Sequence, residues 1–137
     1  MIVPIIMGSA SDLEHARRIA QALAAFGIPS ELRVASAHKT LEHLIAVLDE
    51  YERRDEPRVY ITIAGRSNAL SGAVDARVSA PVIACPPYSD AFGGADIFSS
   101  LRLPSGVAPA LVLDPDNAAL LAAKILALTD AGLAERV

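Results

Sequence analysis

Tryptophan is absent from this chain, and aromatic residues make up only 4% of it. That scarcity disfavours a Tyr-rich β-sandwich and leaves little to stack against the two faces of a flavin. The one cysteine, Cys85, excludes an internal disulfide and a cysteine-rich metal site. Lysine is nearly as rare: Lys39 and Lys124 are the only two among twelve basic residues, in a chain of formal net charge −4. With no basic stripe to neutralise a run of phosphates, nucleic acid is not an expected partner. Long apolar runs are also missing. Residues 1–7 are apolar but far too few for a signal peptide or a membrane span, so the expectation is a cytoplasmic chain that does not bind membranes. The dinucleotide pattern G-x-G-x-x-G does not occur, and three scattered histidines with one cysteine make no zinc constellation.

Hydrophobic residues form 53% of the 137, dominated by Ala, Leu, Ile and Val. That excludes disorder and predicts one domain over residues 1–137, with helices packed on a buried parallel sheet. Alanine-rich helix faces and a mean hydropathy of +0.38 also predict apolar surface buried between subunits, hence a homo-oligomer.

Short apolar runs alternate with amphipathic stretches. Ile2 to Met7 reads as a buried strand, in which Pro4 predicts an edge position or a late start. Ser11 with Glu14 reads as a capping box for a helix carrying Leu13, Ala16, Ile19, Ala20 and Leu23 on one face, stopped by Gly27. Glu31 to Ala35 is a second strand. Thr40 then caps a helix with Leu41, Leu44, Ile45 and Leu48 inward. Val59 to Ala64 and Val82 to Cys85 are the third and fourth strands, with a short helix around Ala69 to Ala76 between them. A loop rich in Pro, Ser, Asp and Gly runs from Pro86 to Asp96, and a short helix around Ile97 to Leu101 comes after it. Ala110 to Leu113 is a fifth strand, and Asp114 with Pro115 starts a last helix from Asp116 to about Thr129. Regular alternation implies right-handed crossovers. The expected fold is a three-layer α/β, flavodoxin-like (Rossmann-like) open parallel sheet of five strands, order 2-1-3-4-5, with helices on both faces.

In such sheets ligands bind beyond the carboxyl ends of the strands, so the residues just past each strand matter most. Gly8-Ser9-Ala10-Ser11-Asp12 comes after the first, Ser36-Ala37-His38-Lys39 after the second, Gly65-Arg66-Ser67-Asn68 after the third, and Pro86-Pro87-Tyr88-Ser89-Asp90 after the fourth. Small polar, glycine and ionisable residues therefore collect at one rim. Ser9 and Asp12 stand at a helix N-terminus, which favours an anion; binding a ligand and capping the helix both remain open for them. A loop imidazole such as that of His38 can take and return a proton near neutral pH, or simply sit in solvent. His15 and His43 fall beside apolar helix positions and read as solvated face residues. Lys39 stands where a phosphate or carboxylate needs a cation, although most lysines are merely solvated. Arg66 and Arg102 suit anions or subunit contacts equally. Gly65 and Gly72 permit close backbone approach or a turn, and Cys85 reads as a small buried hydrophobe. A phosphorelay receiver would need an Asp after the third strand, where Ser67 and Asn68 stand.

Together with Ser99-Ser100-Leu101-Arg102-Leu103-Pro104-Ser105-Gly106, these motifs resemble the PurE family of purine biosynthesis, in order and across nearly the whole chain. The family has two branches. One adds carbon dioxide directly to 5-aminoimidazole ribonucleotide (AIR), giving 4-carboxy-5-aminoimidazole ribonucleotide (CAIR) without ATP or biotin. The other is a mutase that moves a carboxylate from the exocyclic amine of N5-carboxyaminoimidazole ribonucleotide to ring carbon 4. The mutase branch usually has Arg after the histidine and a glycine-rich segment after the third strand. Lys39 and Ala64-Gly65-Arg66-Ser67-Asn68 are similar to the direct carboxylase instead, including the carboxylase half of the bifunctional animal enzyme; Ala69 stands where glycine is more usual. The resemblance implies His38 as the catalytic proton carrier. It also implies Ser9, Ser36 and Lys39 at the phosphate, Asp12 at the ribose, and Gly65 and Ser67 around the imidazole and carboxyl carbon. It implies no metal or other cofactor, and a tetramer or octamer.

Overall fold

The computed structural model describes residues 1–137. Its five strands form one parallel sheet in the order β2-β1-β3-β4-β5, where β1 is Val3–Met7, β2 Ser30–Val34, β3 Tyr60–Ile63, β4 Val82–Ala84 and β5 Ala110–Leu111. The interior strands β1, β3 and β4 are buried throughout, which explains their unbroken apolar runs. Side chains alternate between the two faces. Val3, Ile5, Met7, Ile61, Ile63 and Ile83 meet α1 (Leu13–Ala25) and α5 (Pro115–Ala127) on one face. Ile2, Ile6, Tyr60 and Val82 meet α2 (Leu41–Glu52) and α3 (Leu70–Asp75) on the other. The result is the expected three-layer, flavodoxin-like α/β fold. Its switch in strand order falls between β1 and β3, which places the β1, β2 and β3 carboxyl ends side by side.

Pro4 lies inside an internal strand, contrary to the edge position its chemistry predicts. Backbone donors alternate sides along β1: Val3 N donates to Pro29 O toward β2, while Ile2 N and Gly8 N donate to Pro57 O and Ile63 O toward β3. The Pro4 nitrogen thus faces β3, where the ladder is interrupted between the Ile2–Arg58 bridge and the resumption at Ile5–Ile61. One rung is lost and the strand survives.

Helix α5 starts as expected. Asp114 accepts from Asp116 N and Asn117 N, both at 3.0 Å, with Pro115 at the first turn. Its Ala118, Ala119, Ala122 and Ala123 are fully buried in the chain's own core, so this alanine-rich face is no argument for a subunit contact. The α2 helix is rotated from its expected orientation. Leu44, Val47, Leu48 and Tyr51 face the core, whereas Leu41 and Ile45 are exposed, as is Val34 of the edge strand β2. The short helix α4 (Phe98–Leu101) lies where expected. A helix not foreseen in the sequence, α6 (Ala131–Ala134), comes after α5 and is capped by Asp130.

Candidate active site

Strand ends β1, β2 and β3 converge on one cleft of about 440 Å³, within the roughly 300–1,000 Å³ usual for small-molecule sites. Its first wall is the turn after β1. Ser9 is extended and heads a 3-10 turn over Ala10–Asp12; its Oγ accepts from Ser11 N at 3.3 Å and from the Ser11 hydroxyl at 2.8 Å. Ser11 therefore does not cap α1, and the capping box with Glu14 does not form: α1 begins at Leu13 behind Asp12, without a side-chain cap. A serine oxygen already filled by two donors keeps its own proton free to donate outward. Burial raises the Asp12 pKa above its ordinary value, against the opposing pull of the Ser9 backbone and His15.

The second wall is the loop after β2, which closes on itself. Thr40 Oγ1 accepts from Ser36 N at 2.9 Å and lies 3.3 Å from Ser36 O, so the Thr40 hydroxyl is used for the loop instead of capping α2. Ser36 Oγ accepts from Lys39 N at 3.2 Å, which again leaves the serine proton free. This cage holds His38 and Lys39 exposed at the lip.

The third wall lies beyond β3. Arg66 has φ +58°, a left-handed conformation unusual for a residue with a side chain. Ser99 Oγ, at the start of α4, holds the segment: it accepts from Asn68 N at 2.8 Å and lies 2.8 Å from Asp96 O and 3.3 Å from Arg66 O. Buried Asn68 donates to Ser100 Oγ at 2.9 Å and accepts from Ser71 N at 3.1 Å in the first turn of α3. Pro87, beyond β4, covers Gly65, where a Cβ would stand 3.5 Å from Pro87 Cγ. Gly72 has a different function. A Cβ there would come within 3.1 Å of Leu103 Cδ2, so this glycine packs α3 against the 103–107 segment and does not line the cleft.

The AIR carboxylase family model matches residues 2–137. A Treponema denticola protein named phosphoribosylaminoimidazole carboxylase is 60% identical over 136 residues, covering 99% of this chain and 86% of its own length. A protein of the same name from Archaeoglobus fulgidus is 62% identical over 133 residues, 97% of this chain and 73% of its own. The chain belongs to the AIR carboxylase family.

Within that family the crystal structure of Treponema denticola PurE superposes with a TM-score of 0.97 at 60% identity, covering 98% of this chain and 85% of that one. The human bifunctional phosphoribosylaminoimidazole carboxylase/phosphoribosylaminoimidazole succinocarboxamide synthetase is 44% identical over 128 residues, which is 93% of this chain and 30% of that protein.

All seven residues singled out by the family motifs line the one cleft: Ser9 and Asp12 from the first wall, Ser36, His38 and Lys39 from the second, Gly65 and Ser67 from the third. Ser11, Arg66, Pro87, Ser89 and Asp96 join them there. Pro87 and Ser89 come after β4 and obey the strand-end rule; Asp96 carries no such signal, since it is brought in by the Ser99 contact. Arg102 and His43 are exposed away from the cleft. His15 is half-buried, contrary to the solvated position expected of it, and its Nε2 lies 3.1 Å from Cys85 O. Burial lowers the His15 pKa and pushes the Cys85 thiol up to about 12, which leaves that cysteine an inert thiol.

Proposed function

We propose that this chain carboxylates AIR with carbon dioxide to give CAIR, with His38 as the group that removes the proton from ring carbon 4. The observation that carries the reading is the meeting of three strand-end loops. They bring two serines with spare hydroxyl protons, one lysine, one partly desolvated aspartate and one loop histidine around a single cleft. Ser9, Ser36 and Lys39 hold the phosphate beside the positive end of α1. Asp12 accepts from the ribose hydroxyls. Gly65 and Ser67 line the space for the imidazole and the incoming carbon.

The chemistry is dictated by the substrate. Its exocyclic amino group pushes electrons to carbon 4, whose π pair forms the new bond to the carbon of carbon dioxide while a C=O pair moves to oxygen. Carbon 4 then bears both hydrogen and carboxylate. His38 takes the hydrogen as a proton, the C–H pair returns to the ring, and the proton passes to solvent. The protein's main contribution is to hold an electrophilic gas molecule against the correct ring carbon.

Supplying the purified protein with each ribonucleotide tests the reading. Turnover of AIR that rises with added bicarbonate is the expected result. Turnover only of N5-carboxyaminoimidazole ribonucleotide would overturn it in favour of the mutase. The reading places the reaction in the cytoplasm. No helix is long and apolar enough to cross a membrane. It also includes a homo-oligomer, because Val34, Leu41 and Ile45 leave apolar surface on the β2–α2 edge and Phe98 and Leu101 leave more on α4. A monomer by light scattering would remove that part.

A further inference from the structure

The reaction scheme leaves His15 unused, yet its imidazole is tied to a wall of the cleft. β4 ends at Ala84, and one further rung joins Cys85 N to Thr62 O at 2.8 Å. There the ladder stops, and no backbone N–H reaches the Cys85 carbonyl. Two prolines come next, and neither has an N–H to donate. The stretch from the Cys85 carbonyl through Pro87 therefore has no backbone tether of its own. Its hydrogen bond comes from His15 Nε2, 3.1 Å from Cys85 O and 3.4 Å from Cys85 Sγ. A carbonyl oxygen only accepts, so Nε2 carries the proton. Burial lowers the His15 pKa and so favours the neutral ring, in which Nδ1 is then the bare nitrogen.

The two ends of this bond belong to different walls. His15 lies on the first turn of α1, three residues after Asp12 and four after Ser11, both of which line the cleft. Pro87 lies two residues beyond Cys85 and packs over Gly65.

We infer that His15 is a positioning residue: its Nε2–H bond to the Cys85 carbonyl sets the separation between the Ser9–Asp12 turn and the Cys85–Pro87 wall. The inference rests on the ribonucleotide reading of the cleft. With the phosphate held by Ser9, Ser36 and Lys39 and the ribose by Asp12, the position of the Cys85–Pro87 wall determines whether the imidazole and carbon dioxide meet at reacting distance. His15 touches no reacting atom.

Two substitutions separate the hydrogen bond from the bulk of the ring. His15→Leu fills similar space without a donor, and His15→Gln presents an amide N–H at about the reach of Nε2. Misplacement of a reacting group by an ångström lowers rates by up to about 100-fold, so His15→Leu is expected to lose roughly 10- to 100-fold in kcat/KM for AIR, and His15→Gln to recover to within about three-fold of wild type. The loss should fall on kcat more than on KM, because the phosphate contacts are untouched. A His15→Leu enzyme equal to wild type, or a His15→Gln enzyme as impaired as His15→Leu, would overturn the inference. Nitrogen-15 NMR of the wild-type imidazole reads the same point without any variant, even if His15→Leu fails to fold: a proton on Nδ1 in place of Nε2 would also overturn it. Absence of AIR turnover by the wild type falls on the ribonucleotide reading and removes this inference with it. Wild-type turnover insensitive to His15→Leu removes this inference alone.

Discussion

Strand β2 and the segments attached to it carry two sets of polar side chains in opposite states. Along the flank, Glu31, Arg33, Glu50 and Arg54 are all paired. Arg33 pairs with Glu50 at 3.0 Å, and Arg54 reaches Glu31 at 2.9 Å and Glu50 at 2.8 Å. The Tyr51 hydroxyl donates to Glu31 at 2.7 Å, and the Arg54 guanidinium stacks 4.5 Å from the Tyr51 ring centroid. At the tip, only a few residues further along the chain, His38 and Lys39 have no ion-pair partner, and Asp12 and Arg66 across the cleft have none either. The backbone of the tip, by contrast, is tied through Ser36 and Thr40. The difference separates polar groups that complete the fold from polar groups left for a ligand. On the flank, side chains satisfy one another. At the tip, the scaffold is satisfied and the functional atoms are not, which is the arrangement a preorganised site needs.

The sharpest way to break this comparison is at His38. General acid–base groups contribute roughly 100- to 10,000-fold, so His38→Asn is expected to reduce AIR turnover at least about 100-fold while ribonucleotide binding and thermal stability survive. A mutant within a few-fold of wild type in steady-state kinetics would remove His38 from the mechanism. Lys39 comes next. Hydrogen bonds to charged groups are worth about 1.5–3 kcal/mol, so Lys39→Met should lower kcat/KM by roughly 10- to 100-fold, chiefly through a higher KM. Because Lys39 has no ion-pair partner within the chain, the melting temperature should not fall. A loss of stability would mean that the tip is wired like the flank.

The layered fold is legible in the sequence because it depends on patterns that recur. Apolar runs at β1, β3 and β4 announce strands buried on both faces, and Asp114-Pro115 announces a helix start whatever surrounds it. The site is legible for a related reason: in a parallel sheet every strand end points to the same rim, so topology alone gathers Ser9, Ser36, His38 and Ser67. Features that depend on competition between neighbours are not legible. Ser9 and Ser11 are both able to cap, and the 3-10 turn over Ala10–Asp12, headed by Ser9, decides the outcome. The rotation of α2 depends on Tyr51, a large ring whose burial a count of aliphatic positions does not weigh. The burial of His15 is hidden because its partner is a backbone carbonyl 70 residues away, and a carbonyl has no signature in sequence.

The smallest expected effect probes the flank, through pH. Hydrogen bonds from Arg54 and then Tyr51 hold the Glu31 carboxyl below the usual carboxylate range, which means the folded state favours its ionised form. A depressed carboxylate adds stability above its unfolded pKa of about 4.3, and that stability is lost as the pH falls through the lower folded value. Glu31→Gln keeps the shape and removes the charge. Since the Arg54 and Glu31 side chains are 31% and 41% exposed, solvent screens their attraction. The expected loss at pH 7 is therefore modest, about 0.5–1 kcal/mol, with AIR turnover unchanged. Urea unfolding at pH 7 and again below pH 4 checks the sign. The gap between wild type and variant should narrow in acid, as the wild-type carboxyl becomes protonated and the two chains become electrostatically alike. A gap that stays constant with pH would show that the Glu31 charge does not carry the effect, and the flank would then differ from the tip in hydrogen-bond geometry rather than in the pairing of its charges.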